Sequence, residues 1–223
     1  MVSTATGHRI TTIERLREVI PPPEPTAFSV LKQKETLDEH CRAVIAAAPF
    51  MLLATAGTDG RCDVSPRGDA PGFVMVLDER TIVIPDRPGN RRVDSLENIL
   101  DNPHVGTIFM VPNMDETLRV NGRAWITDEP ELLSRMKMLG KQPLLGIVVE
   151  AEEVYFQCAR AFKRSKIWQP DTWIERSALP SFARILHDQI RPESETVESM
   201  EVYMAEGNRR LYSYRGEPDE PVS

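Results

Sequence analysis

The chain alternates between segments with helical spacing of apolar residues and short apolar runs bounded by turn residues. Residues 9–20 carry apolar residues at helical spacing, and residues 36–48 carry a second stripe that includes Leu37, Cys41 and Ile45. The PPPEP stretch at 21–25 lies between them and predicts a stiff, extended connector. The N-terminal part of the chain therefore predicts two helices separated by a break.

The middle of the chain has the pattern of short strands joined by tight turns. FMLLATAG and CDVSP flank the turn residues TDG and predict a β-hairpin, and GFVMVLD with RTIVIPD predicts a second pair. Three further strands are predicted in VGTIFMV, in LLGIVVEAEEVYF and in ETLRVNGRAWI, where apolar and polar residues alternate with period two. Neighbouring strands with short connections favour an antiparallel sheet that closes into a small barrel.

Helical spacing returns after residue 158, in SFARILHDQI and in ESETVESMEVYMAEGN. We therefore expect one domain over 1–223, with an N-terminal helical extension over about 1–35 and a C-terminal helical region over about 169–223.

Composition narrows the function classes. The formal net charge of −7 argues against nucleic acid and against an anionic membrane surface as partners. No apolar run approaches the roughly 18 residues that span a bilayer, and the N-terminus has no apolar core of a secretory signal. The three cysteines and four histidines have neither disulfide nor metal-ligand spacing, so we expect a cytoplasmic protein without a metal site.

One stretch, PDRPGNRRVDSLENILDNP at 85–103, places Arg91 and Arg92 beside the start of a predicted helix. Asn90 is suited to cap a helix that begins at Arg91, whereas DSLE at 94–97 predicts a start one turn later. Cations are unfavourable at the positive end of a helix dipole, but the free amides there bind phosphate. The pair therefore predicts a phosphate site; the alternative is a solvated basic turn, with the arginines paired to acidic neighbours.

The order of motifs around this stretch resembles the pyridoxamine 5'-phosphate oxidase-like, FMN-binding split-barrel family. In that family a hairpin and a strand precede a basic phosphate-binding turn, a helix ending in Asn-Pro, and a strand with an Arg-Val-x-Gly pattern. Here Asn102-Pro103 and the RVNG sequence at 119–122 occupy the last two places. SPRGD, PDRPGNRR, ETLRVNGRA and RSKIW together resemble an uncharacterised subgroup of FMN-dependent proteins. The resemblance covers roughly residues 36–168 and implies a six-stranded antiparallel split β-barrel with flanking helices.

The resemblance also implies a set of FMN-binding residues. Asn90, Arg91 and Arg92 match the phosphate turn, and Arg67 matches a residue that reaches phosphate or ribityl oxygens. The remaining matches flank the flavin, approach it from a subunit interface, or form a late Arg-Ser-x-x-Trp element: Ser65, Pro66, Pro85, Asp86, Arg87, Thr117, Arg119, Arg164, Ser165 and Trp168.

The implied function is an FMN-dependent oxidoreductase that acts on a small organic molecule, as a homodimer with flavin at the subunit interface. This chain carries VSPRGD where the parent oxidase has an Arg-x-Val-Leu-Leu-Lys strand, so the parent substrate is not part of the expectation. Two alternatives remain open: an FMN carrier or sensor without catalysis, and a haem-binding split-barrel protein. No residue is assigned as a catalytic acid or base.

Overall fold

The computed structural model describes residues 9–214. The chain separates into two compact units, one ending at Gln33 and the other beginning at Lys34. The ends of the predicted domain, 1–8 and 215–223, lie outside the described residues. The assignment of 1–223 to one domain remains a prediction.

The N-terminal unit contains two short helices, α1 (Ile13–Val19) and α2 (Phe28–Leu31). The hydroxyl of Thr12 caps α1 by accepting a hydrogen bond from the Arg15 amide at 3.2 Å. Neither helix has a buried residue among those described, so the apolar stripe predicted for 9–20 is exposed.

Within residues 9–214, seven strands form one antiparallel sheet in the order β2-β1-β5-β6-β7-β4-β3. The strands are β1 (Phe50–Ala56), β2 (Cys62–Gly68), β3 (Met75–Val76), β4 (Thr81–Pro85), β5 (His104–Met110), β6 (Thr117–Thr127) and β7 (Gly146–Gln157).

The fold class is confirmed as a mainly β, antiparallel sheet with flanking helices, but the predicted six-stranded split barrel is corrected to seven strands in one open sheet within the described residues. The seventh strand is the two-residue β3, which adds to β4 through the Met75–Val83 and Val76–Ile82 pairs. β2 and β3 are the edges of the sheet, so its strand pairing is open rather than closed.

The main hydrophobic core lies between the sheet and the two helices α3 (Glu39–Ala47) and α4 (Asp94–Asp101). The predicted stripe of α3 is confirmed, because Cys41 and Ile45 are both buried there. Burial raises the pKa of the Cys41 thiol to about 11, so the thiol remains protonated at neutral pH. The carboxylate of Asp38 caps α3 by accepting the Cys41 amide at 2.9 Å, and this hydrogen bond lowers the pKa of Asp38.

The longest pairing joins β6 to β7, and the register shifts at Asn121/Gly122. A Cβ atom at Gly122 would lie 1.9 Å from the carbonyl oxygen of Glu150, so only glycine fits at this point. The predicted alternation of β6 is visible in its burial, since Leu118, Val120 and Ala124 are buried.

The remaining helices are α5 (Pro130–Ser134), α6 (Arg160–Ser165), α7 (Phe182–Ile190) and α8 (Val197–Gly207). The hydroxyl of Ser181, before α7, donates to the Glu201 carboxylate of α8 at 2.9 Å, which links the two helices. In the part of the chain that the structure describes, no helix is long and apolar enough to cross a membrane.

Candidate functional site

A cavity of about 780 Å³ lies beside β2, the segment that follows β4, and the start of α4. Its volume is in the range of small-molecule and cofactor sites. The Ser213–Tyr214 segment, near the C-terminal end of the described chain, lines it as well. Nine of the residues predicted from sequence lie together in its wall: Ser65, Pro66, Arg67, Pro85, Asp86, Arg87, Asn90, Arg91 and Arg92.

The turn between β4 and α4 holds an unusual backbone conformation. Arg91 and Val93 have φ angles of 60° and 56°, in the left-handed region. Residues other than glycine are uncommon in this region, and a β-branched residue such as valine is rare there. Such conformations persist where the surrounding structure enforces them, and they cluster at ligand-binding sites. The turn therefore has the local geometry of a functional site.

The helix begins at Asp94, which is the later of the two predicted starts. Asn90 is not the helix cap: Val93 occupies that position, without a side-chain cap hydrogen bond. Asn90 instead accepts the Arg92 amide at 3.0 Å and stabilises the turn. Because α4 begins at Asp94, Arg91 and Arg92 both lie in the turn before the helix. The first backbone N–H groups of a helix have no partner within the helix, so the two cations lie next to free donors.

The two arginines of the turn have different partners. Arg92 donates to the Asp94 carboxylate from Nε at 2.8 Å and from Nη2 at 3.3 Å. This pair raises the pKa of Arg92 and lowers that of Asp94, although the Arg92 side chain is 71% exposed. Arg91 is also exposed, and its Nη2 donates to the backbone carbonyl of Tyr214 at 2.9 Å. The interpretation as a basic turn paired to acidic neighbours thus describes Arg92 in this structure, but not Arg91.

Two further arginines of the cavity wall are held by carboxylates. Arg67 Nη1 lies 2.7 Å from Asp86 Oδ1, and Arg87 Nε lies 2.6 Å from Asp69 Oδ2. The side chains of Arg67 and Arg87 are only 15% and 14% exposed. Partly buried charges are stable when they are paired, so these two pairs form a fixed, charge-balanced wall.

The Nε atom of Arg67 is buried and reaches no hydrogen-bond acceptor among the described residues. Buried donors of this kind are rare in proteins and indicate a missing partner. Since Arg67 lines the cavity, a ligand oxygen bound there can be that partner.

Taken together, the wall has the donor set that a phosphate monoester with a polar tail requires. Arg91 and Arg92 lie beside a helix start, which favours a dianion. Arg67 supplies an unpartnered donor farther along the wall. FMN has this combination of a phosphate and a hydroxylated ribityl chain, so the residues present fit FMN.

The other five predicted site residues lie outside this cavity. Thr117 is buried on β6, and the guanidinium of Arg119 lies 5.9 Å from the centre of the Tyr155 ring. Arg164 and Ser165 are exposed on α6. Trp168 lines a smaller cavity of about 270 Å³ with Phe162 and two lysines, and its Nε1 donates to the Met114 carbonyl at 3.0 Å.

Sequence reasoning missed Asp69, Tyr212 and Tyr214. Asp69 lies in the quoted motif SPRGD, two residues after Arg67, and a carboxylate so close to a predicted ligand-binding arginine was a usable signal. The two tyrosines had no such signal, because more than a hundred residues separate them from Asp69 and Asp86.

The solved structures to which this chain is similar share little sequence with it. Group A Streptococcus HupZ is 16% identical, with a TM-score of 0.44, over 53% of this chain and 92% of that one. General Stress Protein 26 from Bacillus anthracis is 14% identical, with a TM-score of 0.41, over 51% of this chain and 88% of that one. An FMN-binding protein from Syntrophomonas wolfei is 14% identical, with a TM-score of 0.43, over 52% of this chain and 83% of that one.

Among curated proteins, no significant match was found. The family model described as Pyridoxamine 5'-phosphate oxidase matches residues 37–158, which is more than half of the chain. The match includes α3, every strand of the sheet and the turn that carries Arg91 and Arg92. The chain therefore belongs to the pyridoxamine 5'-phosphate oxidase family.

Proposed function

We propose that this chain binds FMN in the cavity of about 780 Å³ and uses it to oxidise or reduce a small organic molecule. The observation that carries the proposal is the strained turn, which presents Arg91 and Arg92 to the cavity at the start of α4. Membership of the pyridoxamine 5'-phosphate oxidase family supports it.

The residues of the wall have distinct roles in this proposal. Arg91 and Arg92 bind the phosphate with charge-assisted hydrogen bonds, and Arg92 exchanges part of its contact with Asp94 for the ligand. Arg67 donates from Nε to a ligand oxygen. Arg87 keeps its pair with Asp69 and preserves the shape of the wall.

When bound, FMN supplies the hydride and electron transfer, and the chain supplies binding, orientation and electrostatics. The ion pairs of Arg67 with Asp86 and of Arg87 with Asp69 keep the wall in place before the ligand arrives. Such preorganisation lowers the entropic cost of binding. A guanidinium on the wall also favours an anionic ligand over a neutral one at the same position.

We further propose a homodimer in which the five predicted residues outside the cavity complete the site of a second copy. The Nε atom of Arg119 supports this part, because it is buried on β6 and has no acceptor within the described part of the chain. A subunit interface can supply the missing acceptor. A cytoplasmic location is also part of the proposal, and it is supported by the free thiols of Cys41, Cys62 and Cys158.

The decisive experiment is a titration of the apoprotein with FMN and with riboflavin, which lacks the phosphate. We compare wild type with the double variant Arg91→Ala/Arg92→Ala. Hydrogen bonds to charged groups contribute roughly 1.5 to 3 kcal/mol each, so FMN affinity should fall by about 2 to 4 orders of magnitude. Because Arg92 already has a partner in Asp94, the lower part of that range is expected.

Riboflavin should bind wild type and the double variant with similar, weak affinity. Unchanged FMN affinity in the double variant would contradict the phosphate assignment. The absorption spectrum of the purified protein separates the alternatives, since a flavin and a haem differ in the visible range, and turnover with candidate substrates separates an enzyme from a carrier.

A further inference from the structure

Three residues near the C-terminal end of the described chain, 212–214, contact the wall of the large cavity. The Tyr212 hydroxyl donates to Asp69 Oδ1 at 2.6 Å, and the Tyr214 hydroxyl donates to the backbone carbonyl of Asp86. The backbone carbonyl of Tyr214 accepts a hydrogen bond from Arg91 at 2.9 Å. We call residues 212–214 the tyrosine strap. The strap lies outside the matched family region, which ends at residue 158.

The contact of Tyr212 acts on Arg87 through a shared carboxylate. Asp69 accepts Arg87 on one carboxylate oxygen and Tyr212 on the other, and its side chain is fully buried. The Arg87 guanidinium also lies 5.7 Å from the centre of the Tyr212 ring. Tyr212 therefore restricts both the carboxylate and the guanidinium of this ion pair.

The contact of Tyr214 acts on both sides of the cavity. Its hydroxyl holds the backbone of Asp86, whose carboxylate is the partner of Arg67. Burial raises the pKa of Tyr214, so its hydroxyl stays protonated and keeps donating at neutral pH. Its carbonyl takes one donor of Arg91 and leaves the other donors of that guanidinium for a ligand.

We propose that Tyr212 and Tyr214 are positioning residues, which orient the cavity arginines for a ligand that carries a phosphate group. The inference rests on the proposed function and deepens it, because it assigns the orientation of the phosphate-binding side to a segment outside the matched family region. Neither tyrosine is assigned contact with the reacting atoms. Their effect is to lower the number of arginine conformations that binding has to select.

The test uses hydroxyl deletions that keep both rings: Tyr212→Phe, Tyr214→Phe and the double variant. Each removes one hydrogen bond, which should weaken FMN binding by about 3- to 10-fold. Riboflavin affinity should fall less than FMN affinity, because the strap also contacts Arg91, which acts on the phosphate. Tyr203→Phe is the matched control, since Tyr203 is 78% exposed on α8, and it should leave both affinities unchanged.

Two results of this titration would overturn the inference. FMN affinity that equals wild type in the double variant would show that the hydroxyls do not orient the arginines. An equal loss for FMN and riboflavin would assign the tyrosines a general structural role instead.

A second measurement, the rate of trypsin cleavage, tests the position of the strap without any flavin. Trypsin cleaves after Arg209 and Arg210, immediately before the strap, and docking of the strap should slow that cleavage. The double variant should release the C-terminal fragment about 10-fold faster than wild type and Tyr203→Phe, as measured by mass spectrometry. Equal cleavage rates in the double variant and in wild type would show that the two hydroxyls do not hold the strap in place. If wild type bound no FMN, the proposed function would fail. The cleavage rates would still test whether the hydroxyls hold the strap in place.

Discussion

Two regions of the molecule each contain a buried arginine Nε atom without an acceptor in residues 9–214: Arg67 at the large cavity and Arg119 on β6. Arg67 is held by Asp86 and faces a cavity of about 780 Å³ that three other arginines also line. Arg119 lies against the Tyr155 ring and donates from Nη1 to the Tyr155 hydroxyl at 3.3 Å. The two arginines share a chemical feature but differ in what surrounds it.

An unpartnered donor therefore indicates a ligand only where there is space and charge for one. At Arg67 both are present, so a phosphate-bearing molecule is the expected partner. Arg119 lines neither of the two cavities described above, and a second protein surface is the expected partner under the proposed dimer.

Gly122→Ala should damage both regions at once, because the added Cβ would lie 1.9 Å from the Glu150 carbonyl oxygen. The neighbour is backbone and cannot move aside, so the free energy of unfolding should fall by about 3 kcal/mol. Urea unfolding measures the loss. Gly207→Ala is the control, since nothing lies within 4 Å of a Cβ there, and equal stability of the two variants would contradict the clash.

Arg67→Met and Arg119→Met should separate the two regions. Arg67→Met removes a charged donor from the cavity and should weaken FMN binding by about 10- to 100-fold at every protein concentration. Arg119→Met should weaken FMN binding only at low protein concentration, because it acts through the subunit interface.

Titrations at several protein concentrations, together with sedimentation, measure this separation. A concentration-independent loss in Arg119→Met would place that residue in a single-chain site. A concentration-dependent loss in Arg67→Met would remove the distinction between the regions.

Asp38→Ala lies outside both regions and should change stability without changing FMN affinity. Loss of the helix cap should lower the free energy of unfolding by about 1 kcal/mol at pH 7. The cap amide of Cys41 lowers the pKa of Asp38, so its contribution is present above the ordinary carboxylate pKa of about 4 and is lost as pH falls through the lowered pKa. Urea unfolding at pH 7 and pH 3 should show the difference from wild type shrinking; a constant difference would contradict it.

Trp168→Phe should have the smallest effect. It removes the hydrogen bond to the Met114 carbonyl and leaves most of the ring contact with Phe162, whose centroid lies 5.8 Å away. The hydrogen bond is only partly buried, so the free energy of unfolding should fall by about 0.5 kcal/mol. FMN affinity should also fall, but less than in Arg67→Met, because Trp168 is one of the five residues proposed to complete the site of a second copy. Unchanged FMN affinity would remove Trp168 from that set.

Local patterns predicted most of the sheet. The alternation in ETLRVNGRAWI was sufficient for β6, and the turn residues TDG were sufficient for the hairpin of β1 and β2. The same patterns did not predict that the sheet stays open, because strand order depends on contacts between distant segments. The strand count of six was implied by the family resemblance, whereas the residue patterns themselves predicted seven strands, including the one that contains Met75–Val76.

The local sequence was sufficient to place Arg91 and Arg92 at the N-terminal end of a helix, because proline, glycine and asparagine restrict the backbone there. It left two helix starts open, and the structure has the later one. It also determined the strands and helices whose apolar spacing is regular. The pair of Arg87 with Asp69 became visible only in the folded chain. The same is true of the hydrogen bonds that Tyr212 and Tyr214 donate across 143 and 128 residues, to the Asp69 carboxylate and the Asp86 carbonyl. Periodicity and turn chemistry depend on residues that are neighbours along the chain. These pairings instead form because buried charges and polar groups need partners, and distant partners become available only when the whole chain has packed.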